Sequence, residues 1–187
     1  SMLTNRVGAD YTPAVTLSGR VNKLQYYTGI FSNATGQNMG RAFTDLDSGF
    51  SLLAAGYYDL GNTFGADTSP LPFGYLYSDA NENATNLDRW DNGFALASIL
   101  TKGSAALVTE LTAGIGAETG DAYGINFQPS YFLTDKLQIA ARYQLAGSDE
   151  ETGLRAQRRY ERPAGLPSGD LYQAAYLGLN YHIAKHR

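Results

Sequence analysis

The chain of 187 residues contains no cysteine. A disulfide framework, a cysteine zinc site and thiol chemistry are therefore excluded. Charge is also scarce. Charged residues make up 17% of the chain, against roughly 25% in ordinary soluble domains. The formal net charge of −4 argues against a general nucleic-acid binder, which needs a basic surface. No apolar run approaches the ~20 residues of a transmembrane helix, and no signal peptide is visible. Ser1-Met2 reads as an appended scar, so the missing leader says nothing of the native start. No GxSxG, HExxH or P-loop occurs, so no enzyme and no cofactor are expected.

What the chain does have is tyrosine, 14 in number, glycine, 21, and alternation. In YGINFQPSYFLTDKLQIAARYQLAG, Tyr123, Ile125, Phe127, Pro129, Tyr131 and Leu133 alternate with Gly124, Asn126, Gln128 and Ser130. After Thr134, Asp135 and Lys136, Leu137, Ile139, Ala141, Tyr143 and Leu145 alternate with Gln138, Ala140, Arg142, Gln144 and Ala146. A period of two is the mark of a strand with two unlike faces.

The expected fold class is all-β. Strands are expected at 14–20, 24–32, 48–60, 72–79, 92–102, 104–117, 123–133, 137–147 and 170–184, with no helical period anywhere. Short turns fall at 21–23, 102–104, 134–136 and from 184 on. Long polar connections cover 33–47, 80–91 and 148–169, with a shorter one at 118–122. If PFGYLYSD (72–79) is a strand, all short turns share one rim and all long connections the other. That asymmetry belongs to up-and-down outer-membrane barrels. Pro70 and Pro72 fit an edge or a strand start there rather than a strand centre.

Other segments alternate in the same way. Val15 and Leu17 alternate with Thr16, Ser18 and Arg20. Ala105, Leu107, Leu111, Ala113 and Ile115 alternate with Ala106, Val108, Glu110, Thr112 and Gly114. Leu177, Leu179, Tyr181 and Ile183 alternate with Tyr176, Gly178, Asn180 and His182. A soluble sandwich also alternates, with its apolar face inward. The polar face here carries Gln, Asn, Ser, Gly and Ala rather than Lys and Glu. Aromatics gather near strand ends at Tyr26-Tyr27, Tyr57-Tyr58, Tyr123, Tyr131-Phe132 and Tyr181, as interfacial girdles do.

The stretches FQPSYFLTDKLQIAARYQLAGSD (127–149), GLRAQRRYER (153–162) and YLGLNYHIAKHR (176–187) resemble the phosphate-selective porin O and P family of Gram-negative outer membranes. LTNRVGADYTPAVTLSGRV (3–21) and YYTGIFSN (26–33) are similar to it as well, and 61–91 is the weakest part. The resemblance implies a porin-type transmembrane β-barrel of about 16 strands. It further implies a homotrimer in the bacterial outer membrane, in contact with membrane lipid, passing phosphate, polyphosphate or other small anions. About nine strands are visible, an odd number, and the chain stops inside a turn. It is therefore expected to be a fragment of such a barrel, incomplete at both ends. Its open edges should pair with another chain or alter its own strand pairing.

Anion passage needs fixed positive charge along a narrow pore, and arginine suits phosphate through its planar, permanently charged fork. Arg20 and Arg142 lie on the polar face. Arg155, Arg158, Arg159 and Arg162 cluster in the 148–169 connection. Glu150, Glu151 and Glu161 flank that cluster, so a solvated, internally paired loop is the competing reading. Glu110 on the polar face opposes strict anion selectivity.

The remaining motifs carry little. His182 and His186 stand ~13 Å apart on a strand, too far to share a metal. Asp45, Asp47 and Gly49 lack the other ligands of a calcium loop. The acids of 78–92 read as a solvated loop. The glycines of 114–120 miss dinucleotide spacing, and Asn33 and Asn83 stand in chance glycosylation patterns. Two rivals to the channel remain: a soluble all-β ligand-binding module, and a structural outer-membrane barrel without transport.

Overall fold

A computed structural model describes residues 14–32, 49–80, 90–116, 120–154, 165 and 168–183. Nine strands form one antiparallel sheet in strict sequence order: β1 (Ala14–Val21), β2 (Leu24–Ser32), β3 (Gly49–Asp59), β4 (Pro70–Ala80), β5 (Asn92–Lys102), β6 (Ala105–Ile115), β7 (Ala122–Phe132), β8 (Leu137–Ser148) and β9 (Leu171–Tyr181). Each strand pairs only with its neighbours in sequence, so the sheet is open, with β1 and β9 at its edges. Among the described residues there is no α-helix. One 3-10 turn covers Thr63–Gly65.

The expected strands match these nine within a few residues at each end. β4 is present and starts at Pro70, earlier than expected. Its prolines sit opposite Asp59 and Tyr57 of β3, whereas the ladder to β5 runs only from Phe73 to Tyr77. Both prolines therefore lie where β4 has one partner strand, and their missing N–H groups cost no second ladder.

The register fixes two faces. Val15, Ile30, Leu52, Tyr77, Asn92 and Ile115 lie in one cross-strand row. Phe73, Leu96, Leu111, Ile125 and Leu145 lie in another on the same side. We call this side the outer face. Its charged strand residues are Asp79 and Lys102, each at a strand end. Large apolar side chains stand open on it, with Leu111 53% and Leu177 73% exposed. The opposite, inner face carries every buried residue within the described strands: Ser51, Leu76, Ser78, Gly93, Gly114, Ala122, Ala140 and Ala146. Small side chains pack tightly there, and Ser51 and Ser78 share a hydrogen bond at 3.1 Å. Large exposed apolar side chains thus stand mostly on one face of the open sheet, and its buried strand residues, small ones apart from Leu76, on the other.

Aromatic and aliphatic side chains are interspersed on the outer face, with Phe127 and Tyr143 opposed in mid-strand. Toward the long-connection rim, Phe50 meets Tyr77 at 6.1 Å between ring centres and Tyr75 meets Phe94 at 4.9 Å. Toward the short-turn rim stand Tyr26, Tyr58, Tyr131 and Tyr181. Leu96, Leu111 and Ile125 share the row of Tyr26 and Phe73, and Ile139 and Leu179 share that of Tyr131. Glycine shapes one row of this face, where Gly19, Tyr26, Gly56 and Phe73 oppose one another in turn. A Cβ on Gly19 would come 2.5 Å from the Tyr26 hydroxyl, and one on Gly56 would strike the Phe73 ring. The missing side chains let both rings lie on the sheet.

The tight links fall on one rim as expected, but the connection 60–69 falls there too and is longer than 116–121 on the other. One rim carries the tight links 22–23, 103–104 and 133–136 together with 60–69. The other carries 33–48, 81–91, 116–121 and 149–170. Residues 60–69 form a strap rather than an open loop. The Asp67 N–H donates to the Thr101 carbonyl at 2.7 Å, Thr68 bridges Thr101, and Asp67 Oδ2 accepts from the Gly103 N–H at 2.7 Å. The strap thus covers the free flank of β5 that β4 leaves unpaired.

Candidate functional site

The inner face of β6 to β9 gathers most of the polar side chains. Ala97, Glu110, Asn126, Gln144 and Ala174 form one cross-strand row. The next carries Ile99, Val108 and Gln128, and Arg142 directly opposes Tyr176. Further toward the short-turn rim, Gln138 Nε2 donates to Ser130 Oγ at 3.2 Å. Asn180 Nδ2 donates to Gln138 Oε1 at 3.1 Å. Asn126 is different. Its Oδ1 is buried and meets no donor among the described residues. A buried acceptor in that condition costs about 1–3 kcal/mol unless whatever fills the space before it donates a hydrogen bond.

Arg142 is exposed, and its guanidinium carbon stands 5.7 Å from the centre of the Tyr176 ring. That ring lies along the strand because Gly178 offers no side chain, and a Cβ there would collide with the Tyr176 hydroxyl. Gly178 makes room, Tyr176 lies flat, and Arg142 rests over the ring. Cation–π contact of this kind is worth about 0.5–1 kcal/mol at an exposed site.

Arg20 also lies on the inner face, in a row with Gln25, Tyr57 and Pro72. It sits at the short-turn rim, where its Nε donates to the Asn22 carbonyl at 3.3 Å. Seven strand spacings separate β1 from β8, about 34 Å around the sheet. The sheet does not bring Arg20 and Arg142 together. Arg155, Arg158, Arg159 and Arg162 lie outside the described residues.

Two kinds of residue escaped the sequence reading. Tyr27 and Tyr57, expected in a girdle with their neighbours, lie on the inner face. With Ser18, Gln25 and Ala55 they line a hollow of about 410 Å³. The signal was present, because adjacent residues of a strand must face opposite ways. The second is the share of Asp121, Asp149 and Asp170 in the charge of the long-connection rim, where the acids of 78–92, Glu150 and Glu151 were already visible. Among the described residues that rim carries Asp79, Asp91, Asp121, Asp149, Glu150, Glu151 and Asp170, and no lysine or arginine.

Comparison of the chain with family models, with curated proteins and with solved structures returns no match.

Proposed function

We propose that the chain is a segment of a porin-type β-barrel of the bacterial outer membrane, of the phosphate-selective porin O and P kind. In this reading it lines a water-filled channel for passive diffusion of small anions such as phosphate. The observation that carries the reading is the contrast between the two faces. Most of the exposed Leu, Ile and Phe stand on one side, while the Gln side chains of β7 and β8, Glu110, Arg142 and the orphan Oδ1 of Asn126 stand on the other. Strands of 11 residues such as β5, β6 and β7 measure about 36 Å. At the tilt usual in such barrels they cover the ~25 Å apolar band of an outer membrane.

Arg142 supplies a fixed positive charge on the wall, and the arginines of 155–162 supply it at the mouth. Glu110 and the acids of the long-connection rim oppose both, so selectivity is a balance of fields rather than a single site. The test is conductance across a planar bilayer under a KCl gradient. The reading expects steps with a reversal potential on the anion side, moved toward the cation side by Arg142→Gln. A chain that stays monomeric in detergent-free buffer and gives no conductance overturns it.

A further inference from the structure

The most strained residue outside the inner face is Phe64, at the tip of the strap. Its backbone lies in the left-handed region, φ 60° and ψ 19°, and its side chain is 83% exposed. A bulky residue rarely adopts this conformation, and exposure returns no packing to offset it. The strap around it is firmly tied. Asp59 Oδ1 accepts from the Gly61 N–H at 2.8 Å, and Ser69, fully buried, donates its hydroxyl to the Gly61 carbonyl. The Ala66 N–H donates to the Thr63 carbonyl at 3.2 Å. A rigid mount therefore presents one large aromatic ring in a conformation that glycine would fill better.

Cations flank the mount. A Cβ on Gly61 would stand 3.4 Å from Lys23 Nζ, and one on Gly65 would stand 3.6 Å from Lys102 Nζ. Lys102 lies on the outer face at the end of β5. Among the described residues the other charges of this rim are Arg20, Lys136, Asp59, Asp67 and Asp135. Asp59 and Asp67 are held by backbone N–H groups of the strap and the β5–β6 turn. An exposed aromatic ring on a strap whose Gly61 and Gly65 each lie close to an ammonium group matches the boundary between acyl chains and phosphate headgroups.

We infer that the strap is a lipid anchor: Phe64 enters the acyl boundary while Lys23 and Lys102 bind the phosphates of anionic phospholipid. This rests on the membrane-barrel reading, and the experiment separates the two. Because the chain has no cysteine, Phe64→Cys and Ile125→Cys each carry a unique thiol for an environment-sensitive dye. The labelled proteins are placed in nanodiscs of phosphatidylcholine with or without phosphatidylglycerol. Quenching by lipid-borne nitroxide is compared with quenching by iodide. The anchor predicts that the Phe64 label is quenched by the lipid nitroxide and shielded from iodide, more strongly with phosphatidylglycerol. Lys23→Gln and Lys102→Gln should each lower the inserted-to-free ratio about fivefold in the anionic discs, and little in the neutral ones. A Phe64 label open to iodide, beside an Ile125 label quenched by lipid, overturns the anchor alone. An Ile125 label that lipid does not quench overturns the membrane reading and the anchor with it.

Discussion

Arg142 on β8 and Tyr176 on β9 are direct cross-strand partners, and the guanidinium lies 5.7 Å from the ring centre. The platform depends on Gly178, whose absent side chain the ring occupies. Gly178→Val should lift the ring and release the guanidinium without removing its charge. Single-channel recordings should then show altered conductance with a reversal potential close to the native one. Arg142→Gln, by contrast, should move the reversal potential. If both variants move it equally, charge alone is not what Arg142 contributes.

The two faces should respond to the same substitution in opposite ways. Leu111→Arg on the outer face is expected to cost about 2–4 kcal/mol of stability in a bilayer. Gln128→Arg on the inner face should cost little. Urea titration of vesicle-reconstituted protein measures the difference. Equal costs at the two positions would contradict a hydrocarbon-facing outer side.

Gly56 lies under the Phe73 ring, where even a Cβ has no room. Gly56→Val must displace the ring or the strand, and a loss of about 1–3 kcal/mol is expected. Gly74 gives the matched control, since its nearest neighbour, the Ala55 Cβ, is at an ordinary 4.0 Å. Thermal unfolding of Gly56→Val and Gly74→Ala checks whether the crowding matters.

Phe64→Gly should raise stability by about 1 kcal/mol, because glycine takes a left-handed backbone without the side-chain clash. The melting temperature should rise above that of the native chain in neutral detergent, and rise less in phosphatidylglycerol nanodiscs, where the anchor holds the ring. A lower one in detergent would mean that the ring makes contacts that outweigh the backbone strain.

Most of the sheet was legible because a strand states its own geometry. Alternation over 123–147 placed β7 and β8, and the distribution of turns favoured a strand at 72–79 despite Pro70 and Pro72. The strap was not legible. Its shape comes from Asp67 and Thr68 reaching Thr101 and Gly103, more than thirty positions away, and no local pattern announces such a pairing. The tyrosine doublets misled for the opposite reason. Composition near strand ends suggested one interfacial belt, yet the period of two sends Tyr26 and Tyr58 outward and Tyr27 and Tyr57 inward. Of the six candidate pore arginines, register fixes Arg20 and Arg142. The other four stand in a connection whose sequence sets no period.

The unequal connections have a consequence for assembly. On the membrane-barrel reading, carrying 33–48, 81–91 and 149–170 through hydrocarbon means stripping water from many polar groups, whereas the opposite rim, 60–69 included, carries fewer. Spontaneous entry into a preformed vesicle should therefore be vectorial, with the tight links crossing first and the bulky segments left on the side of approach.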